Sequence, residues 1–246
     1  MHCLEVTVLK FPDLEFTDLH THILPDTDDG PEDLAQALDM LQLAWDSGTR
    51  RIFLTPHHRG PWQYTPDELR QRVRELQEAA KDRFPGLELY LGCEITYFHE
   101  SPELLREKKL LTMADSPYVL VEFSPAVSRT ALVAGLESLL EAGFYPILAH
   151  SERYGIMKPE LARELNRKGV LLQLNADSVL GAQGFRVKWL CKKLLNQLLV
   201  FCIASDAHDS AHRPPTLRKA FLAVAKKYGP DYARAMFDQN PRFILE

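Results

Sequence analysis

The stretch TDLHTHILPDTDDG, residues 17–30, sets His20 and His22 one residue apart at the end of an apolar run, with Asp18, Asp26, Asp28 and Asp29 around them. If the run is a β-strand, its side-chain period of two turns both imidazoles to one face, where they can reach one cation. The same residue types recur down the chain. His57 follows RIFLT, Glu94 follows LELYLG and Glu122 lies near the end of YVLVEF, while His150 follows YPILA and Asp206 and His208 follow VFCIA. Imidazole and carboxylate without thiolate suit Zn, Mn or Fe(II). With Asp29 included, four carboxylates facing three dications leave a positive site, and Arg153 and Arg213 add to that charge. A site of this sign suits a phosphate dianion.

Seven β-rich runs that alternate with amphipathic helical segments must position these residues. A helix is expected from Pro31, with Leu34, Ala37, Leu38, Leu41 and Trp45 on one face and Gly48 as its stop. Thr65 is placed to cap a second helix that opens at Pro66. Further helical patterns cover Leu132–Leu140, Leu161–Lys168, Val187–Leu198 and Pro215–Tyr228, separated by VLLQLN and the runs already named. Strands joined through helices imply parallel pairing with right-handed crossovers, and near-continuous apolar strands fit a sheet covered by helices. The expected fold is α/β, a single and somewhat irregular (β/α)7 TIM-like barrel over residues 1–246, with residues 1–15 as an N-terminal extension. A doubly wound open sheet is the alternative. In a barrel the strand ends share one face, so six of the seven strands deliver a ligand-type residue to one place.

Composition excludes other classes. The 246 residues are 46% hydrophobic and 26% charged, an ordinary globular balance for a chain able to bury a full core. A net charge of −5 without a basic stripe argues against nucleic acid as a partner. No run of 18 apolar residues exists for membrane insertion, and the N-terminus lacks a signal-peptide pattern. Cys3, Cys93, Cys191 and Cys202 are scattered, which fits buried thiols in a reducing compartment, so the cytoplasm is the expected location. Asp26 and Asp28 read as turn residues, and Asp18 as a group that orients an imidazole. His2 and His99 read as surface histidines and His212 has no assigned role, while Trp62 and Tyr64 are either packing or a substrate wall.

The motifs DLHTH…DDGP, TPHH, GCEI, VEFS, AHSERY and ASDAH…RPP, in that order and spacing, resemble the polymerase and histidinol phosphatase (PHP) family. DDGP, HSERY and the arginine before PP resemble more narrowly its bacterial capsule-type branch, metal-dependent protein-tyrosine phosphatases acting on exopolysaccharide tyrosine kinases. The likeness runs from Asp18 to the closing NPRFIL, whereas the family pattern usually starts almost at the first residue, so residues 1–15 are an added strand or an artefactual start. The resemblance implies three divalent metal ions, Mn first, with Fe, Zn and Co as alternatives. It implies a first metal at His20, His22, Glu94 and Asp206, a second that Glu94 shares with Glu122 and His150, and a third at Asp29, His57 and His208. It also gives Arg153 and Arg213 the role of gripping phosphate, which suits the planar guanidinium fork. By residue type, His208 is a candidate proton donor and His58 a candidate substrate contact.

The activity expected from this resemblance is hydrolysis of protein phosphotyrosine without a phosphoenzyme. The expected partner is the tyrosine-rich, disordered tail of a bacterial kinase that controls capsular or exopolysaccharide synthesis. An open cleft walled by Trp62, Tyr64, Tyr97 and Tyr154 would receive the aryl ring, because no long insertion is available as a lid. Three rival functions stand beside this one: a small-molecule phosphatase such as a histidinol-phosphatase, a PHP-type nuclease, and a non-catalytic module that docks on a kinase. The sequence carries no signal of oligomeric state.

Overall fold

The structure, a computed structural model, describes residues 14–59 and 64–246. Trp62 and most of the expected N-terminal extension lie outside the described residues. Among the described residues, nine parallel strand segments form the frame. These are β1 Phe16–Thr21, β2 Thr49–Leu54, β3 His57–His58, β4 Glu88–Leu91, β5 Glu94–Thr96, β6 Tyr118–Glu122, β7 Tyr145–Leu148, β8 Leu171–Asn175 and β9 Cys202–Ala204. They are ordered β1-β2-β4 in one sheet and β3-β5-β6-β7-β8-β9 in the other.

Seven expected runs become nine segments because two of them break. Pro56 has no N–H for a ladder, which separates β2 from β3. Gly92 separates β4 from β5, at a point where a Cβ would meet the Met113 sulfur at 2.6 Å. Backbone hydrogen bonds carry across both breaks, Gly92 N donating to Leu54 O at 2.9 Å and Glu94 N to Pro56 O at 3.1 Å. At the far edge, Asp206 N donates to His20 O at 2.9 Å and His22 N to Ala207 O at 2.8 Å, which ties the chain after β9 to the end of β1. The parallel sheet therefore curls back onto its first strand.

Both faces of the strands are buried, which is why they read as continuous apolar runs. Val119, Val121, Leu148, Leu172, Leu174 and Ile203 belong to the large core shared with the helices. The alternate residues Leu120, Ile147, Cys202 and Ala204 join Leu19, Phe53, Met113 and Ile244 in a second cluster.

The helices follow their local signals. The first, α1 Leu34–Ser47, starts three residues after Pro31, because Asp33 supplies the side-chain cap to Gln36 N. It stops at Gly48, whose φ of +105° is costly for any other residue. α2 Pro66–Ala80 begins where expected, with Thr65 and Glu68 forming a reciprocal capping box. α3 Ser101–Arg106, α4 Arg129–Glu141, α5 Pro159–Lys168, α6 Ala176–Leu180, α7 Phe185–Asn196 and α8 Arg218–Tyr228 complete the cover before the closing turns.

Candidate active site

His20 sits in β1 with His22 just beyond it, His57 opens β3, Glu94 opens β5 and Glu122 closes β6. His150, Asp206 and His208 follow β7 and β9, so all of these side chains meet at one rim. Glu94 is the centre. Its Oε2 lies 3.2 Å from His20 Nε2, 3.3 Å from His22 Nε2 and 3.1 Å from His57 Nδ1, and its Oε1 lies 2.9 Å from His150 Nε2. Asp206 Oδ1 is 3.5 Å from the Nε2 atoms of both His20 and His22. Glu122 stands 3.5 Å from His57 and 3.8 Å from His150. Asp29, exposed at the mouth, stands 3.6 Å from His57 and 3.4 Å from His208.

All nine expected ligand residues thus share one site. Two of their closest groupings keep an expected set together, and one crosses the expected division among three ions. His22 gathers with Asp29, His57 and His208 as well as with His20 and Glu94, and His57 also gathers with Glu94 and Glu122. The donor set fits divalent cations on a direct observation. Glu94 Oε2 is buried and makes no hydrogen bond, although three imidazole nitrogens surround it. Such an orphaned buried oxygen among neutral-capable imidazoles is what a cation satisfies.

Three residues that hold this arrangement were not expected to do so. Asp28 is more than a turn residue: its Oδ2 accepts from His22 Nδ1 at 2.6 Å and from His57 N at 2.8 Å, and its Oδ1 accepts from Gly30 N at 3.1 Å. It fixes the His22 tautomer and aims Nε2 at Glu94 and Asp206. Gln173 Oε1 accepts from His150 N at 2.6 Å and faces His20 Nδ1, while Gln173 Nε2 donates to Asn175 Oδ1 at 2.8 Å. Asn175 Nδ2 in turn donates to Asp206 Oδ2 at 2.6 Å. β8, which carries no ligand residue, therefore supplies supports. The signal was present in VLLQLN, where two amides spaced by two share one face of an apolar strand.

The network also holds two strained backbones. His150 and Asp206 have φ of +32° and +53°, a left-handed region that costs a non-glycine residue about 1–3 kcal/mol. The bonds from His150 N to Gln173 and from Asp206 N to His20 O keep them there.

Electrostatics follow from this packing. Burial alone would lower the His22 imidazole, but the carboxylates of Asp28 and Glu94 outweigh it and push it up to about 10. Burial opposes the Asp28 charge, yet His22 holds that carboxyl at about 2. Glu94 lies well below the usual carboxylate range because His20 and His150 overcome its burial. Asp206 is likewise lowered against its burial by His20, His22 and Arg213. Burial and the neighbouring His22 push His208 down to about 4.

Arg153 Nη1 and Arg213 Nη2 lie 3.2 and 2.7 Å from Asp206 Oδ2, with their guanidinium groups partly exposed on a cavity of about 230 Å³. Arg59 lines the same cavity and was missed, although it directly follows TPHH.

Several expectations need correction. His58 is buried and its Nε2 donates to the Tyr64 carbonyl at 3.2 Å, because its neighbour His57 takes the face toward the site. Among the described residues it does not line the cavity that His57 and Arg59 share. Asp18 accepts from Ser205 N at 2.9 Å and so anchors the chain before Asp206 rather than orienting an imidazole. Of the expected aromatic wall, Tyr154 lines the site cavity together with Phe123, while Tyr64 and Tyr97 do not. Tyr97 stacks on Phe123, Tyr154 is 3% exposed with its hydroxyl accepting from Phe123 N, and Tyr64 packs under Arg72. Asp26 is the expected turn residue, with φ of +54° and an ion pair to Arg72. His99 and His212 are exposed.

Known proteins share this layout. A tyrosine-protein phosphatase CpsB of Streptococcus pneumoniae is 34% identical over 236 residues, covering 93% of this chain and 97% of the relative. The tyrosine-protein phosphatase YwqE of Bacillus subtilis is 31% identical over 232 residues, covering 93% and 91%. A crystal structure from work on YwqE of B. subtilis and CpsB of S. pneumoniae, described as unique metal-dependent tyrosine phosphatases, superposes with a TM-score of 0.85 at 30% identity and 94% coverage of both chains. The sequence profile described as "Capsular polysaccharide synthesis, CpsB/CapC" matches residues 16–246, the whole of the curled sheet and its rim of histidines and carboxylates. This chain belongs to the CpsB/CapC family.

Proposed function

We propose that this chain is a metal-dependent phosphatase of protein phosphotyrosine, with the Glu94-centred cluster as its active site. The observation that carries the reading is the buried, unbonded Glu94 oxygen among three imidazoles, beside two arginines on an open cavity. The family supports it, since its members CpsB and YwqE are tyrosine-protein phosphatases. We read the nine strand segments as seven lanes of one PHP-type (β/α)7 domain, in which β2 with β3 and β4 with β5 are interrupted single lanes.

In this proposal His20, His22, Asp29, His57, Glu94, Glu122, His150, Asp206 and His208 hold three divalent cations, Mn first among Fe, Zn and Co. Bound cations supply Lewis-acid charge that attracts phosphate oxygens and makes water more acidic. The protein's own groups do the rest. Arg153 and Arg213 offer N–H donors to the phosphate oxygens and offset charge that grows in the transition state. Asp28, Gln173 and Asn175 keep the imidazoles and Asp206 from turning. A tyrosine leaving group ionises near pH 10, so hydrolysis needs no strong general acid.

The proposed partner is the tyrosine-rich tail of a kinase in capsule or exopolysaccharide synthesis, met in the cytoplasm. No described helix is long and apolar enough to cross a membrane. Side-by-side kinetics on phosphotyrosine peptides, phosphoserine peptides and histidinol phosphate test the reading. Phosphotyrosine peptides are expected to lead in kcat/KM. A lead of tenfold or more for histidinol phosphate, about 1.4 kcal/mol, would overturn the substrate and keep the metal chemistry.

A further inference from the structure

Beyond the turn that carries Arg153 lies a second cavity, about 500 Å³ in volume, between that turn and α7. Arg153 and Tyr154 line both cavities, so the two are neighbours through one arginine. Met157 and Leu190 are buried in its floor, and Val187 and Trp189 extend the apolar surface outward, Trp189 being 48% exposed. Lys158, Arg186 and Lys193 stand on its rim. None of these three cations pairs with a carboxylate among the described residues, although Arg163 on α5 pairs with Glu160.

The cavity's own acids form no ion pair with these three cations. Glu152 is buried and accepts from Asn175 N at 3.1 Å, and Glu160 pairs with Arg163 at 3.2 Å. The rim is therefore cationic on a chain whose net charge is −5. Lys193 sits 5.1 Å from the centre of the Trp189 ring, so charge and aromatic surface are presented together. An apolar surface ringed by cations that have no carboxylate partner calls for an occupant with acidic groups beside an apolar side chain. A cavity of this size takes a few side chains, not a folded domain.

We propose that this cavity docks the segment of substrate polypeptide flanking the phosphotyrosine, with acidic side chains on Lys158, Arg186 and Lys193 and an apolar or aromatic side chain on the floor. The inference rests on the phosphotyrosine-protein reading above and names where that substrate is selected. A small phosphate ester cannot reach this second contact. Discrimination between polypeptides therefore appears in KM, while turnover is set at the cations and arginines of the first cavity.

The test uses the full chain loaded with metal and three substrates: a phosphotyrosine peptide flanked by Asp and Glu, the same peptide flanked by Lys, and p-nitrophenyl phosphate. The native protein is expected to favour the acidic peptide about tenfold in kcat/KM, and about 0.5 M salt should erase that preference. The triple variant Lys158→Glu, Arg186→Glu, Lys193→Glu should lose or reverse the preference through KM, with p-nitrophenyl phosphate hydrolysis unchanged. Trp189→Ala should raise KM for both peptides and not for p-nitrophenyl phosphate. Native protein that hydrolyses both peptides equally well overturns the docking proposal and leaves the phosphatase reading intact. A triple variant that still prefers the acidic peptide overturns it too. Failure to hydrolyse either peptide would remove the phosphatase reading and this inference with it.

Discussion

Replacing Asp28 should weaken metal binding although Asp28 is not among the proposed ligands. The carboxylate accepts three N–H groups, from His22 Nδ1 at 2.6 Å, His57 N at 2.8 Å and Gly30 N at 3.1 Å. In Asp28→Asn one oxygen becomes an NH2 group, so at least one of those donors faces another donor and the charge that steadies His22 is gone. Loss of a carboxylate that orients a ligating histidine typically costs 10- to 100-fold in affinity, about 1.4–2.7 kcal/mol. We expect Asp28→Asn to fall in that range and Asp28→Ala at its upper end. The assay is competition between metal-free protein and a chromogenic chelator, with phosphate release from a phosphotyrosine peptide followed across the same metal concentrations. Excess metal should restore much of the turnover of Asp28→Asn, because the nine ligand side chains remain. If both variants bind metal within twofold of the native protein, the positioning role assigned to Asp28 is wrong.

Other outcomes follow from the same geometry. Arg153→Ala should lose about 10²–10³-fold in kcat/KM and keep its metal, since Asn175 and Arg213 still hold Asp206 Oδ2; metal content measured beside kinetics checks this. Gly30→Ala would bring a Cβ to 2.0 Å from the His22 carbonyl oxygen, so thermal unfolding should show a loss of about 1–3 kcal/mol with weaker metal binding. Thr65→Ala removes half of the capping box of α2 and should cost about 1 kcal/mol in chemical denaturation, with activity unchanged. Cys93, Cys191 and Cys202 are buried and burial raises all three thiols, so in a Cys3→Ser background a disulfide reagent should find no reactive thiol until the protein unfolds.

The sequence disclosed what repeats at a fixed topological place. A histidine or carboxylate after each of six apolar runs pointed to one rim, because parallel strands with helical crossovers place their carboxyl ends on the same side of the sheet. Helix starts were legible where a cap is local, as at Thr65, and less so at Pro31, where Asp33 two residues on makes the better cap. What escaped were contacts between distant parts of the chain. Asp28 looked like a turn residue because its bond to His57 N joins loops 29 residues apart. Tyr97 looked like part of a wall because sequence gives no view of the Phe123 ring on which it stacks, away from the cavity that Tyr154 does line. His58 shares a residue type with its neighbour but not its direction, which strand alternation alone decides. Gln173 and Asn175 were readable and unread, two polar groups on one face of a buried strand that must bond to something.

The central claim is that hydrolysis of phosphotyrosine depends on cations held by the Glu94 cluster. The direct measurement is phosphate release from a phosphotyrosine peptide while Mn²⁺ is titrated into protein stripped by a chelator, with metal per chain counted in the same samples. The account predicts no release from stripped protein and activity that rises to a plateau as the Glu94 cluster fills, while a Glu94→Gln variant stays flat and binds less metal. Full turnover by metal-free protein, or a Glu94→Gln variant that fills and works like the native one, would contradict it.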